Sequence, residues 1–187
     1  DAAKAIAFMM KRGTGNAADL YDSSLRANAL AVIAVPTTCG TGSEVTGVSV
    51  LTRHDKNTKI SIPHRIWPAL ALVDGKYLRS ASQAMIINTS ADALAHMVES
   101  WLSKKADTYS KAMVLAGLSV WKEIKGVMDG SCEADDEKRA LLMRASTFAG
   151  MAIAQTGTSL PHALSYILTY DLGMPHGKAC AYFLTNY

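Results

Sequence analysis

Ala69-Leu70-Ala71-Leu72-Val73-Asp74-Gly75 is the last stretch of the chain that reads as a β-strand. A short apolar run stopped by an Asp-Gly turn is a strand with its terminator, and everything downstream changes to helical periodicity. The fold class expected from this switch is an α/β N-terminal part, an incomplete nucleotide-binding domain, followed by an all-α C-terminal domain. The boundary falls near Asp74 to Arg79, giving a partial α/β unit over 1–78 and a helical unit over 79–187.

Upstream of the switch, Asp1 to about Arg12 reads as a helix, and Ala29-Leu30-Ala31-Val32-Ile33-Ala34-Val35 as a fully buried strand. Continuous apolar runs of this kind suit strands covered on both faces. Pro36 to Glu44 follows as a loop of small hydroxyl and glycine residues. Val45 to Leu51 and Thr58 to Ile62 read as strands joined by the polar turn Arg53 to Asn57. Downstream, Ser82 or Asn88 starts a helix carrying Asp92 and His96. Tyr109 to about Met128, Ala134 to about Gln155 and Thr158 to Tyr170 follow as further helices, with Gly150 a point of close packing.

With 187 residues and 49% hydrophobic side chains the chain can bury a substantial core. The net charge of +3 arises from mixed clusters such as Asp135 to Arg139, so no basic stripe points to nucleic acid or a membrane surface. No apolar run approaches the ~20 residues of a membrane span. Three widely spaced cysteines, Cys39, Cys132 and Cys180, fit neither a disulfide framework nor a thiolate zinc site, and a reducing cytoplasm is expected. The first residues already read as helix and the last ones end in uncapped apolar sequence. The chain is therefore expected to be the middle of a longer protein.

The chemistry concentrates in Asp92-Ala93-Leu94-Ala95-His96, which on a helix puts a carboxylate and an imidazole one turn apart on one face. Further on, His162 and His176 each follow a proline. Three imidazoles and a carboxylate form a borderline donor set suited to Fe(II), Zn(II), Mn(II), Co(II) or Ni(II) and poor for Ca(II) or Mg(II). His54 and His64 are expected on the surface. The loop Thr37 to Glu44 has the glycines and hydroxyls that can approach a phosphate, although it fits neither the Gly-x-Gly-x-x-Gly nor the P-loop template. As residues alone, an ordinary Gly/Thr turn accounts for it about as well, and Lys59 is as readily a solvated lysine as a cationic contact.

Pro36-Thr37-Thr38-Cys39-Gly40-Thr41-Gly42-Ser43-Glu44-Val45-Thr46, then Asp92 to Glu99, then Pro161-His162-Ala163-Leu164 and Pro175-His176-Gly177 resemble the successive signatures of the iron-containing (group III) alcohol dehydrogenase family. The likeness runs over essentially the whole chain. It implies the two-domain, dehydroquinate synthase-like architecture, with a metal and NAD or NADP in the cleft between the domains. It implies Asp92, His96, His162 and His176 as metal ligands, with Fe(II) the expected ion and Zn(II) or another divalent transition metal an alternative. It implies Thr37, Thr38, Thr46 and Lys59 as nucleotide contacts; in this chain no catalytic side chain beyond the ligands is expected.

The chain departs from the family pattern twice. The family's Gly-Gly-Gly-Ser pyrophosphate loop normally precedes a segment like Asp1 to Lys4, so the chain is expected to begin just after it and to bind dinucleotide poorly by itself. Many relatives carry a histidine four residues after the third ligand, where this chain has Tyr166. The activity implied is reversible oxidation of a primary alcohol to an aldehyde by a homo-oligomer acting on small molecules. The alternatives are a metal- and NAD-dependent cyclase or lyase related to dehydroquinate synthase, and a non-catalytic helical fragment.

Overall fold

The computed structural model of the chain describes residues 1–185 and 187. Helix α1, Ala2–Arg12, ends where Gly13 takes the left-handed conformation at φ 67° and donates its N–H to Met10 O. Its buried face carries Lys4, Ala5, Ala7 and Phe8. Phe8 packs with Leu20, Val32, Ile62 and Ile66 into the core of the N-terminal part.

That part holds two small sheets. Strand β1, Ile33–Ala34, pairs in parallel with β4, Leu70–Ala71, while β2, Val50–Arg53, and β3, Thr58–Ser61, form an antiparallel hairpin. The hairpin closes through His54–Lys56, with Asn57 left-handed at φ 48°. Asparagine tolerates that conformation better than other residues bearing a Cβ.

Two strand expectations need correction. The run Ala29 to Val35 is not fully buried: Ile33 is 62% exposed, and only two of its residues are assigned to a ladder. Covering such a run takes strands on both sides and a layer on both faces, whereas among the described residues β1 pairs with β4 alone. The second strand begins at Val50 rather than Val45, because Ser43–Val45 tightens into a 3-10 turn first.

The helical part is built around α2, Gln83–Leu102, whose N-cap Ser82 accepts the Met85 N–H at 3.2 Å. Helix α3, Thr108–Glu123, opens with a reciprocal capping box between Asp107 and Ser110. Its path breaks at Ile124 before the short α4, Lys125–Met128. Helix α5, Asp136–Thr156, is capped by Asp135; α6, Leu160–Asp171, and α7, His176–Leu184, complete the bundle. Packing against α2 comes from α3, α5, α6 and α7, which makes it the central helix. Helix α7 is additional to those expected from the sequence. Met97, Val114, Ala149 and Ala152 fill one core, and Leu78, Ile124, Val127, Leu142 and Met143 a second.

The two parts meet through glycine. A Cβ on Gly42 would lie 2.4 Å from Gly150 Cα, and one on Gly150 would lie 2.7 Å from Gly42 Cα. The Thr/Gly loop thus rests on α5 backbone to backbone, at the point of close packing expected for Gly150. No helix among the described residues is long and apolar enough to cross a membrane.

Candidate metal centre

Helix α2 presents Asp92, His96 and Glu99 at spacings of four and three residues, so all three share one face. Helix α7 reaches that face because Gly177 has no side chain: a Cβ there would sit 1.7 Å from Asn88 O. This contact seats His176, the first residue of α7, beside Asp92. The first turn of α6 supplies His162.

The donors converge on one oxygen. His162 Nε2 lies 3.2 Å from Asp92 Oδ1, and the Nε2 atoms of His96 and His176 each lie 3.7 Å from it. The rings of His96 and His162 stack at 4.5 Å and 16°, and His176 meets His162 edge-on at 5.3 Å. Cys180, one turn after His176, brings its Sγ into the same cluster; donor atoms of Asp92, His162, His176 and Cys180 all lie within 4.8 Å of one another.

Electrostatics sort the groups by charge. For Asp92, burial opposes ionisation, but His96, His162 and His176 hold its carboxyl well below the usual range. Burial pushes His96 down to about 4 against the pull of Asp92, so this ring is neutral and has a lone pair to give. His162 goes the other way: burial resists its charge, but hydrogen bonds to Asp92, Cys180 and Glu99 push it up to about 12. For Cys180, burial is outweighed by His162 and His176, which lower its pKa.

The arrangement fits a divalent transition ion. Two of the three Nε2 atoms, those of His96 and His176, stand at 3.7 Å from the carboxylate oxygen, beyond hydrogen-bond reach. Buried polar atoms that converge without bonding to each other are what an ion site requires. Imidazole with carboxylate, and a thiol at the margin, is a borderline donor set.

A cavity of about 580 Å³ opens from this cluster. Asp92, His96, His162, His176 and Tyr166 line it from the helical part, and Thr46, Lys59 and Arg65 from the N-terminal part. Of the four expected nucleotide contacts, Thr46 and Lys59 therefore face the same space as the imidazoles. Thr37 is exposed, Thr38 half-buried, and neither is among the lining residues. Tyr166 stacks on His176 with ring centroids 5.9 Å apart, and burial raises its phenol pKa. Of the two remaining histidines, His54 is exposed as expected. His64 is not: it is buried, its ring stacked on Phe8 at 4.2 Å.

Three residues near the site were not singled out by the sequence. Glu99 is fully buried and holds His162 from behind. Cys180 stands at the helical spacing of four from His176, a signal readable once α7 is known to be a helix. Lys4 is buried, with Nζ donating to Ser43 Oγ at 3.0 Å and Val48 O at 2.7 Å.

Comparison with known proteins adds the following. Residues 1–75 match the model of iron-containing alcohol dehydrogenases, and residues 86–187 match that of the C-terminal region of the Fe-containing alcohol dehydrogenase family. A 1-propanol dehydrogenase, PduQ of Salmonella typhimurium, is 35% identical over 82% of this chain and 42% of its own length. A probable alcohol dehydrogenase, EutG of Escherichia coli, is 30% identical over 98% of this chain and 47% of its own.

Among solved structures, an iron-containing alcohol dehydrogenase from Thermotoga maritima superposes with a TM-score of 0.88 at 38% identity, covering 97% of this chain and 49% of that one. Sulfoacetaldehyde reductase from Bifidobacterium kashiwanohense, solved with NAD+, gives a TM-score of 0.83 at 32% identity over 98% of this chain and 49% of that one. The chain spans about half the length of the curated relatives it matches.

Proposed function

The chain belongs to the iron-containing alcohol dehydrogenase family, and on that premise we propose that it serves the reversible oxidation of a primary alcohol to an aldehyde, with NAD or NADP as the hydride partner. The observation that carries this reading is the single cavity lined both by Asp92, His96, His162 and His176 and by Thr46 and Lys59. Residues 79–187 form the metal-binding part in this proposal, and residues 1–78 the incomplete nucleotide-binding part.

Asp92, His96, His162 and His176 would hold the ion, Fe(II) in the first instance and Zn(II) or another divalent transition metal as the alternative. When bound, such an ion supplies Lewis acidity to the substrate oxygen, favouring the alkoxide in one direction and a polarised carbonyl in the other. Asp92, ionised and only 4% exposed, provides the compensating charge. Neutral His96 offers a lone pair without adding positive charge. Burial of Asp92, His96 and His162 keeps water from the donors. Thr46 and Lys59, with Thr37 and Thr38 on the same loop region, are the proposed nucleotide contacts, the lysine placing a cation where phosphate is expected. Hydride transfer is the cofactor's chemistry; the protein contributes position and electrostatics.

The NAD+ complex of a relative supports NAD as the first dinucleotide to test, and the 1-propanol dehydrogenase likeness supports short aliphatic alcohols. Three unpaired cysteines support a reducing cytoplasm as the location. The matched families and relatives do not favour the cyclase or lyase alternative. The test is Asp92→Ala in a protein spanning the full length of its relatives: bound metal and aldehyde reduction with NADH are both expected to be lost. Retention of both would refute the site.

A further inference from the structure

Glu99 is an acidic side chain with no exposure to solvent, and its hydrogen bonds run to Ser159 and His162 at the start of another helix. Its Oε1 accepts from Ser159 N–H at 3.0 Å, from Ser159 Oγ–H at 3.0 Å and from His162 N–H at 3.2 Å. Its Oε2 is hydrogen-bonded to His162 Nδ1. Helix α6 has no side-chain cap of its own: the Ser159 hydroxyl turns away to Glu99, which satisfies two of the orphan N–H groups from across the bundle.

The two oxygens therefore do different things. One anchors the start of α6, and the other decides which nitrogen of the His162 ring carries hydrogen. A carboxylate can only accept, so Nδ1 must be the donor. The opposite nitrogen, Nε2, is the one that points at Asp92, 3.2 Å away.

We infer that Glu99 is a positioning residue for the metal centre, keeping hydrogen on His162 Nδ1 so that Nε2 is the nitrogen that gives up its proton and turns a lone pair to the ion when one is bound. The inference rests on the metal reading given above. A carboxylate behind a ligating imidazole fixes the ring, its tautomer and its basicity, and loss of such a partner costs ~10–100-fold in metal affinity.

Glu99→Gln separates this role from simple anchoring. The Gln carbonyl can still accept from Ser159 and His162, while its amide must donate to Nδ1, which leaves the neutral ring with its hydrogen on Nε2 and no lone pair toward the ion. Ser159→Ala is the converse control, since it removes one bond from Oε1 and leaves Oε2 untouched. Zinc affinity of the full chain is measured for parent and both variants by competition with a chelator, alongside the thermal midpoint of each metal-free protein.

The expected result is a loss of ~10–100-fold in zinc affinity for E99Q and less than ~3-fold for S159A, whatever their midpoints. If E99Q does not fold, the zinc-loaded parent with nitrogen-15 histidine decides by NMR. His162 is expected to show a protonated Nδ1, and a protonated Nε2 overturns the inference. Equal losses in both variants, or E99Q within ~3-fold of parent, also overturn it. A parent that takes up no zinc overturns the metal reading, and this inference with it.

Discussion

Substituting Gly177 by alanine tests how the centre is assembled. The added methyl would stand 1.7 Å from Asn88 O, 2.8 Å from Asn88 C and 3.0 Å from Asp92 N, all backbone atoms of α2. No rotamer change relieves a clash with main chain. Bringing the carbonyl contact out to 3.0 Å alone requires α7 and α2 to part by about 1.3 Å. Overpacking into relaxed side chains costs ~1–3 kcal/mol, and an obstacle made of backbone belongs at the upper end, about 3 kcal/mol or more. For a domain of this size that is a fall of ~6–12 °C in the thermal midpoint.

The displacement also carries His176 away from Asp92, whereas metal–ligand distances tolerate only ~0.2 Å. G177A is therefore expected to lose at least ~10-fold in metal affinity as well as stability, by the same reasoning on ligand placement. Differential scanning calorimetry of the metal-free protein and chelator competition for zinc read the two effects separately. An unchanged midpoint with unchanged zinc affinity would refute the close helix contact as the reason for the glycine.

Other expectations concern the stability of the fold. Lys4 is pushed down from 10.5 to about 8, chiefly by burial and against the pull of Glu44. The unfolded chain therefore holds more protons between those values, and stability is expected to rise with pH from about 8 to 10.5. Urea denaturation across that window should give a shallower rise for Lys4→Met, and parallel profiles would count against a buried ammonium. Asp107→Ala removes half of the α3 capping box and should cost ~1 kcal/mol in the same assay, with no change in zinc binding. Arg79→Ala breaks a pair with Asp136 that is more than half exposed on both sides, so the urea midpoint should barely move.

What could be read in the sequence was local. The one-turn spacing of Asp92 and His96, the Ser82 cap, one of the two starts open for that helix, and the polar turn ending at Asn57 depend on neighbours within a few residues, and each is found in the structure. What could not be read was set by partners far along the chain. Glu99 meets groups about 60 residues later, Lys4 meets groups about 40 residues later, and nothing near either residue marks it as buried. His64 beside a proline looked like surface until Phe8 closed over it. The strand Ala29 to Val35 carried a strong apolar signal, but composition measures the demand for cover and not whether neighbours supply it. Helix α7 is a run of nine residues opening on His-Gly, too brief for its periodicity to stand out. Cys180 was not expected beside the histidines as a result.

The meeting of Gly42 with Gly150 has a consequence for the history and engineering of such proteins. Where two main chains touch with only hydrogens between them, neither position can be varied alone without prising the loop from the helix and widening the cavity they share. Chimeras that exchange one half of the chain for a relative's inherit this constraint as a compatibility rule: both halves must bring a glycine to the seam. A library that diversifies the loop should hold residues 42 and 150 constant and spend its variation on either side.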